Sequence, residues 1–144
     1  MTVYLVRHGQ AEEHAQSGGD AARALTAEGR ARFEALAAAL AGRMKVARVV
    51  TSPLRRARQT AEVLARISGA PLAEEEALAS GRSSGRALLE LALGAGAGTA
   101  LVGHNPEVAE AIAFAAGGEQ KVKPGTVAAI ELGAGSPRLV WIES

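Results

Sequence analysis

Val3-Tyr4-Leu5-Val6-Arg7-His8-Gly9 is the stretch around which the rest of the chain is arranged. Its first four residues are apolar and mostly β-favouring, which reads as a buried strand. The strand then stops at a cation, an imidazole and a glycine. Packing gives no reason to end a core strand this way. A buried cation needs a partner, and glycine lets the backbone turn sharply or come close to a ligand. The same pattern recurs twice: Val46-Ala47-Arg48-Val49-Val50 runs into Thr51-Ser52-Pro53-Leu54-Arg55-Arg56, and Thr99-Ala100-Leu101-Val102 runs into Gly103-His104-Asn105-Pro106.

Helical signals lie between these strands. Thr26 is a candidate N-cap, followed by Phe33, Leu36, Ala37 and Leu40 at helical spacing, with Gly42 near the end. Ser52-Pro53 reads as an N-cap followed by a first-turn proline, opening a helix to about Ile67. Its expected buried face is Leu54, Ala57, Ala61, Leu64 and Ala65, with Arg58, Glu62 and Arg66 as a charged ladder opposite. Residues 87–93 read as a further helix. Asn105-Pro106 repeats the cap-and-proline pattern for a helix to about Ala116. Residues 10–23 form a polar loop with room for a short helical piece, and 72–85 carry no clear pattern. Strands at 126–132 and 138–142 flank a Gly/Pro-rich turn, a hairpin signal. This alternation predicts a single α/β domain, residues 1–144. Its sheet is mostly parallel and helix-covered, with an antiparallel pair.

Composition narrows the function. The chain has 144 residues, 48% of them hydrophobic, a formal net charge of +1 and 3% aromatics. It can bury a real core, but it has neither the charge nor the aromatic platforms of a nucleic-acid binder. It has no cysteine, which excludes disulfides and thiolate chemistry. No apolar run approaches the roughly 20 residues of a membrane span, and no signal-peptide pattern opens the chain. The expectation is a cytoplasmic protein with no membrane or nucleic-acid partner.

In parallel sheets, ligands bind outside the carboxyl ends of the strands. Arg7, His8, Arg56 and His104 all fall there. Arg56 lies in the first turn of its helix, where the positive dipole end disfavours a cation. An anion resolves that conflict, because helix N-termini and guanidinium groups both favour one. Arg55 and Arg58 read as solvated neighbours. A neutral imidazole is a competent nucleophile toward phosphorus, so His8 and Arg7 supply a nucleophile and a clamp from one turn. His104 is placed to donate to a phosphoryl oxygen. A metal site needs carboxylates beside the histidines, and no such spacing occurs. No metal or cofactor is expected. His14, in the polar loop, reads as exposed.

Four blocks together resemble the histidine phosphatase superfamily, the phosphoglycerate-mutase-like group. They are Leu5-Val6-Arg7-His8-Gly9, Leu25-Thr26-Ala27-Glu28-Gly29, the run from Ser52-Pro53-Leu54-Arg55-Arg56 to Thr60-Ala61, and Val102-Gly103-His104-Asn105-Pro106. The resemblance implies a three-layer α/β/α sandwich. It also implies His8 as the phosphorylated nucleophile, with Arg7, Arg56 and His104 around the phosphate. Gly9, Ser52 and Asn105 are expected to line the substrate site. The short chain is similar to bacterial phosphohistidine phosphatases of the SixA type, which implies a phosphorylated partner protein as substrate. A small phosphorylated compound and a noncatalytic phosphate- or phosphoprotein-binding role are the alternatives. Many members of the family carry a proton-donating Glu between the second Arg and the second His; the matching place here holds Ser80. Glu74, Glu75 and Glu76 are out of register, which leaves Glu12 and Glu13 as candidate substitutes.

Overall fold

The alternation of side chains along the first strand decides the layering. In the computed structural model, which describes residues Met1–Ser144, β1 (Thr2–Arg7) sends Val3 and Leu5 into one apolar core and Tyr4 and Val6 into another. Successive side chains of a strand point to opposite faces, so a strand that is apolar on both must be covered on both. Helices α1 (Ala27–Leu40) and α2 (Arg55–Ser68) pack on the Tyr4 and Val6 side. Helices α3 (Gly85–Ala95) and α4 (Glu107–Ala116) pack on the other. The result is an α/β/α sandwich. Burial of each such apolar side chain is worth about 1.5–3 kcal/mol.

The remaining strands are β2 (Arg48–Thr51), β3 (Leu72–Glu74), β4 (Thr99–Gly103), β5 (Val127–Gly133) and β6 (Gly135–Glu143). They form a six-stranded sheet in the order β3-β2-β4-β1-β5-β6. The first four in that order are mutually parallel; β5 runs antiparallel to β1, and β6 to β5. Arg7 pairs with Gly103, and Thr51 with Val102. The carboxyl ends of β1, β2 and β4 therefore meet along one edge, and the residues that follow them are neighbours.

Thr26 caps α1 by accepting from the Gly29 amide at 2.8 Å. Gly29 is needed for close approach: a Cβ there would lie 2.3 Å from the Gln10 carbonyl oxygen. That contact presses α1 onto the loop leaving His8. Ser84 caps α3 through the Ala87 amide.

Several boundaries differ from the sequence reading. β2 begins at Arg48 rather than Val46, where pairing with Thr99 of β4 starts. Ser52-Pro53 does not open α2. The helix starts at Arg55 with Leu54 at its N-cap, and Ser52 Oγ accepts from the Leu54 amide at 3.1 Å instead. The buried face of α2 holds Ala57, Ala61 and Leu64 as expected, but also Arg56, Thr60 and Val63, while Leu54 and Ala65 are only half-buried. Its cations pair with other elements, Arg58 with Glu74 at 3.3 Å and Arg66 with Glu34 at 3.5 Å. α4 begins at Glu107, with Pro106 at the N-cap position. Residues 72–85, unpatterned in sequence, hold β3 and a 3₁₀ turn at Glu76–Leu78. The hairpin strands extend through most of the expected turn, since Gly133 already pairs with Gly135.

Candidate active site

The strand ends converge as the register requires. The His8 amide donates to the Gly103 carbonyl at 3.1 Å, and the Ser52 amide to Val102 at 3.0 Å. The rings of His8 and His104 then stand side by side, with centroids 5.1 Å apart. Both residues are buried, at 8% and 2% exposure, as is Arg56 at 5%. Arg55, its chain neighbour, is exposed.

Hydrogen bonds set the tautomer of His8. Its Nδ1 lies 2.7 Å from the Gly9 carbonyl, which can only accept. Nδ1 therefore carries the proton, and Nε2 keeps its lone pair. His104 Nε2 lies 2.8 Å from Ser52 Oγ. Two buried side-chain nitrogens have no hydrogen-bond partner, Arg7 Nε and His104 Nδ1. Leaving such groups unmatched costs about 1–3 kcal/mol each. Both belong to this cluster, and both would be satisfied by an anion.

Electrostatics agree. Burial pushes His8 down from 6.5 to about 4, assisted by Arg56, Arg7 and Arg23 and opposed by the hydrogen bond to Gly9. Burial likewise lowers His104 to about 3, with further contributions from His8, Arg56 and Arg7. Both imidazoles are neutral at pH 7. In an unfolded chain they titrate near their ordinary value of 6.5. Their contribution to stability is therefore complete above pH 6.5 and is lost as pH falls from there through about 4 for His8 and about 3 for His104.

The supporting contacts are local and specific. Thr60 Oγ1 accepts from the Gly9 amide at 3.0 Å and donates to the Arg56 carbonyl at 2.8 Å. One hydroxyl thus ties the turn after β1 to the first turn of α2. Arg7 Nη1 and Asn105 Nδ2 both donate to the Val122 carbonyl, at 3.0 and 3.2 Å. This brings the basic loop between Lys121 and Lys123 to the rim.

Gly9, Ser52 and Asn105 sit at the site, with their polar groups engaged by the protein. The Gly9 amide goes to Thr60, Ser52 Oγ to His104 and Leu54, and Asn105 Oδ1 accepts from Ala109 at 3.2 Å. Of the candidate acids, Glu12 accepts from the Ala24 amide at 3.0 Å, Glu13 is exposed, and Glu74 pairs with Arg58. Ser80 is exposed.

Sequence reasoning missed Asp20, Arg23 and Glu107. Arg23 donates to the Glu12 carbonyl at 2.7 Å, and its charge acts on both His8 and Arg56. Asp20 bonds to Arg23 and Arg56. Glu107 is buried, and its carboxylate accepts from the Gly81 amide at 3.3 Å. Burial raises its pKa, with Glu110 adding to the shift and the Gly81 hydrogen bond opposing it. A carboxylate in a polar loop or in a helix's first turn breaks no local rule, so neither acid stood out.

The class that this fold and site define is an α/β enzyme built to handle a phosphoryl group. The model of the histidine phosphatase superfamily (branch 1) matches residues 3–92, and the chain belongs to that superfamily and is a phosphatase. The match ends before β4, so His104 enters through the geometry above. An uncharacterized protein of Picosynechococcus is 39% identical over 122 residues, covering 79% of this chain and 74% of its own. A protein histidine phosphatase, SixA, solved with tungstate superposes with a TM-score of 0.85 at 25% identity, covering 100% of this chain and 97% of the other. A structure from Agrobacterium tumefaciens assigned as the phosphohistidine phosphatase SixA gives 0.84 at 22% identity, covering 99% and 97%. No helix is long and apolar enough to cross a membrane.

Proposed function

We propose that the protein removes phosphoryl groups from phosphohistidine in a partner protein by way of a phosphorylated His8. In the first step, His8 Nε2 attacks phosphorus and the bond to the substrate imidazole nitrogen breaks. The leaving nitrogen takes the electron pair and a proton from water. In the second step, water attacks the phosphorus on His8, releasing inorganic phosphate and restoring Nε2. Arg7 and Arg56 offset the phosphoryl charge in both steps. His104 donates Nδ1–H to a phosphoryl oxygen while Ser52 O–H donates to its Nε2. Gly9, Asn105 and Thr60 hold these groups in place.

The observation that carries the choice of substrate is the state of the carboxylate that touches Arg56. Asp20 is held ionised, below the usual carboxylate range, chiefly by its hydrogen bond to Arg23 and then by the charge of Arg56. An ionised carboxylate cannot protonate a leaving group. General acid assistance is typically worth about a hundred- to ten-thousand-fold, and an alkoxide needs it far more than an imidazole does. On one preparation, phosphohistidine protein should be favoured over alkyl phosphates by at least about a hundredfold in kcat/KM, with activated aryl phosphates in between. The likeness to a protein histidine phosphatase supports the same choice.

A small-molecule phosphomonoesterase is the second reading. Glu107 favours it as a buried carboxyl with a raised pKa, three residues beyond His104. Efficient alkyl phosphate hydrolysis that is lost in Glu107→Gln would establish it and set aside the phosphohistidine preference.

The pH profile tests the state of His8. With its pKa near 4, the nucleophile stays unprotonated across the neutral range. The acid limb of kcat/KM is expected below about pH 5. A limb near 6.5, where an exposed imidazole titrates, would contradict the buried neutral nucleophile.

A further inference from the structure

Asp20 takes up donors of two guanidinium groups at the site. Its Oδ1 accepts from Arg23 Nη1 at 2.8 Å, and its Oδ2 from Arg56 Nη2 at 3.3 Å. Its backbone carbonyl accepts from Arg56 Nη1 at 3.0 Å. Two oxygens of one anion thus join two guanidinium groups, the arrangement that two oxygens of a phosphoryl group make with paired arginines. The partners differ in burial: the Arg56 side chain is 6% exposed and that of Asp20 is 64% exposed. The carboxylate reaches in from the solvent side. It sits on the 3₁₀ turn Asp20–Ala22, just after Gly18-Gly19, within the loop that leaves His8.

We infer that Asp20 is an internal competitor for the phosphoryl site, holding Arg23 and Arg56 in the free enzyme and yielding them to the substrate. This rests on reading the site as a phosphoryl site, and it goes further by adding a residue that sets anion affinity. A bound phosphoryl group carries more charge than one carboxylate and displaces it. After turnover, Asp20 competes with inorganic phosphate for the same donors and speeds its departure. The residue is not catalytic; it acts through the two arginines.

The experiment is calorimetric titration of inorganic phosphate at low salt into the full chain and into Asp20→Asn. The substitution preserves side-chain size and the backbone contact to Arg56, and the exposed position poses little risk to folding. Phosphate should bind the variant about three- to tenfold more tightly, and the constant for product inhibition should fall by the same factor. A residue that merely props Arg56 gives the opposite sign. Unchanged or weaker binding by the variant, with wild type binding normally, would overturn this inference alone. No phosphate binding by either protein would overturn the phosphoryl reading and this inference together.

Discussion

His8→Ala is expected to abolish turnover and leave the fold intact. Under the proposed mechanism the variant removes the nitrogen that attacks phosphorus. His104, 5.1 Å away ring to ring, has its Nε2 engaged by Ser52. Loss of a nucleophile that forms a covalent intermediate typically removes most of the catalysed rate, here about ten-thousand-fold or more. Removing a ring that is neutral at pH 7 leaves no uncompensated charge, so circular dichroism and thermal unfolding should remain close to wild type. Acid-free quenching of the wild-type enzyme during turnover, followed by mass spectrometry, should find phosphate on His8. Phosphate on His104 alone, or on no residue, would reverse the assignment.

Arg56→Ala and Arg55→Ala should differ by about a hundred- to a thousand-fold in kcat/KM, the range seen when one preorganised donor to developing charge is removed. The two residues are adjacent in the first turn of α2, yet Arg56 is buried beside Asp20 and Arg55 is exposed. Arg55 makes one long contact, 3.4 Å to the Ala22 carbonyl. A cation facing water at a helix N-terminus is mildly unfavourable, so Arg55→Ala should keep activity and keep or slightly raise stability. Equal losses in both variants would show that the wrong arginine has been assigned to the phosphate.

Sequence alone made the central strands legible because they are buried on both faces and read as continuous apolar runs. β3 was not legible: it has three exposed residues at a sheet edge, tied mainly by its backbone ladder to β2. The site's histidines and Arg56 were visible because each breaks a rule of packing or helix electrostatics. Arg23 and Asp20 sit where charge is the default, and only tertiary folding brings their loop over Arg56. Ser52 was visible, but its reading as the cap of α2 was not met. A serine before a proline satisfies a local cap as readily as a distant imidazole, and sequence cannot tell the two apart.

The placement of β1 also bears on how the chain folds. Its ladder partners are β4, at residues 99–103, and β5, at residues 127–133. Both are far along the chain, so closing them demands large loops whose entropy must be lost before the contacts form. During synthesis, β1 emerges before β4 and β5 and gains its ladder neighbours only when they arrive. Until β4 and β5 arrive, Val3, Leu5 and Val6 have no sheet neighbours and His8 has no facing imidazole. The edge where His8 meets His104 is therefore a late product of folding, and a partly made chain carries His8 without the neighbours that bury it.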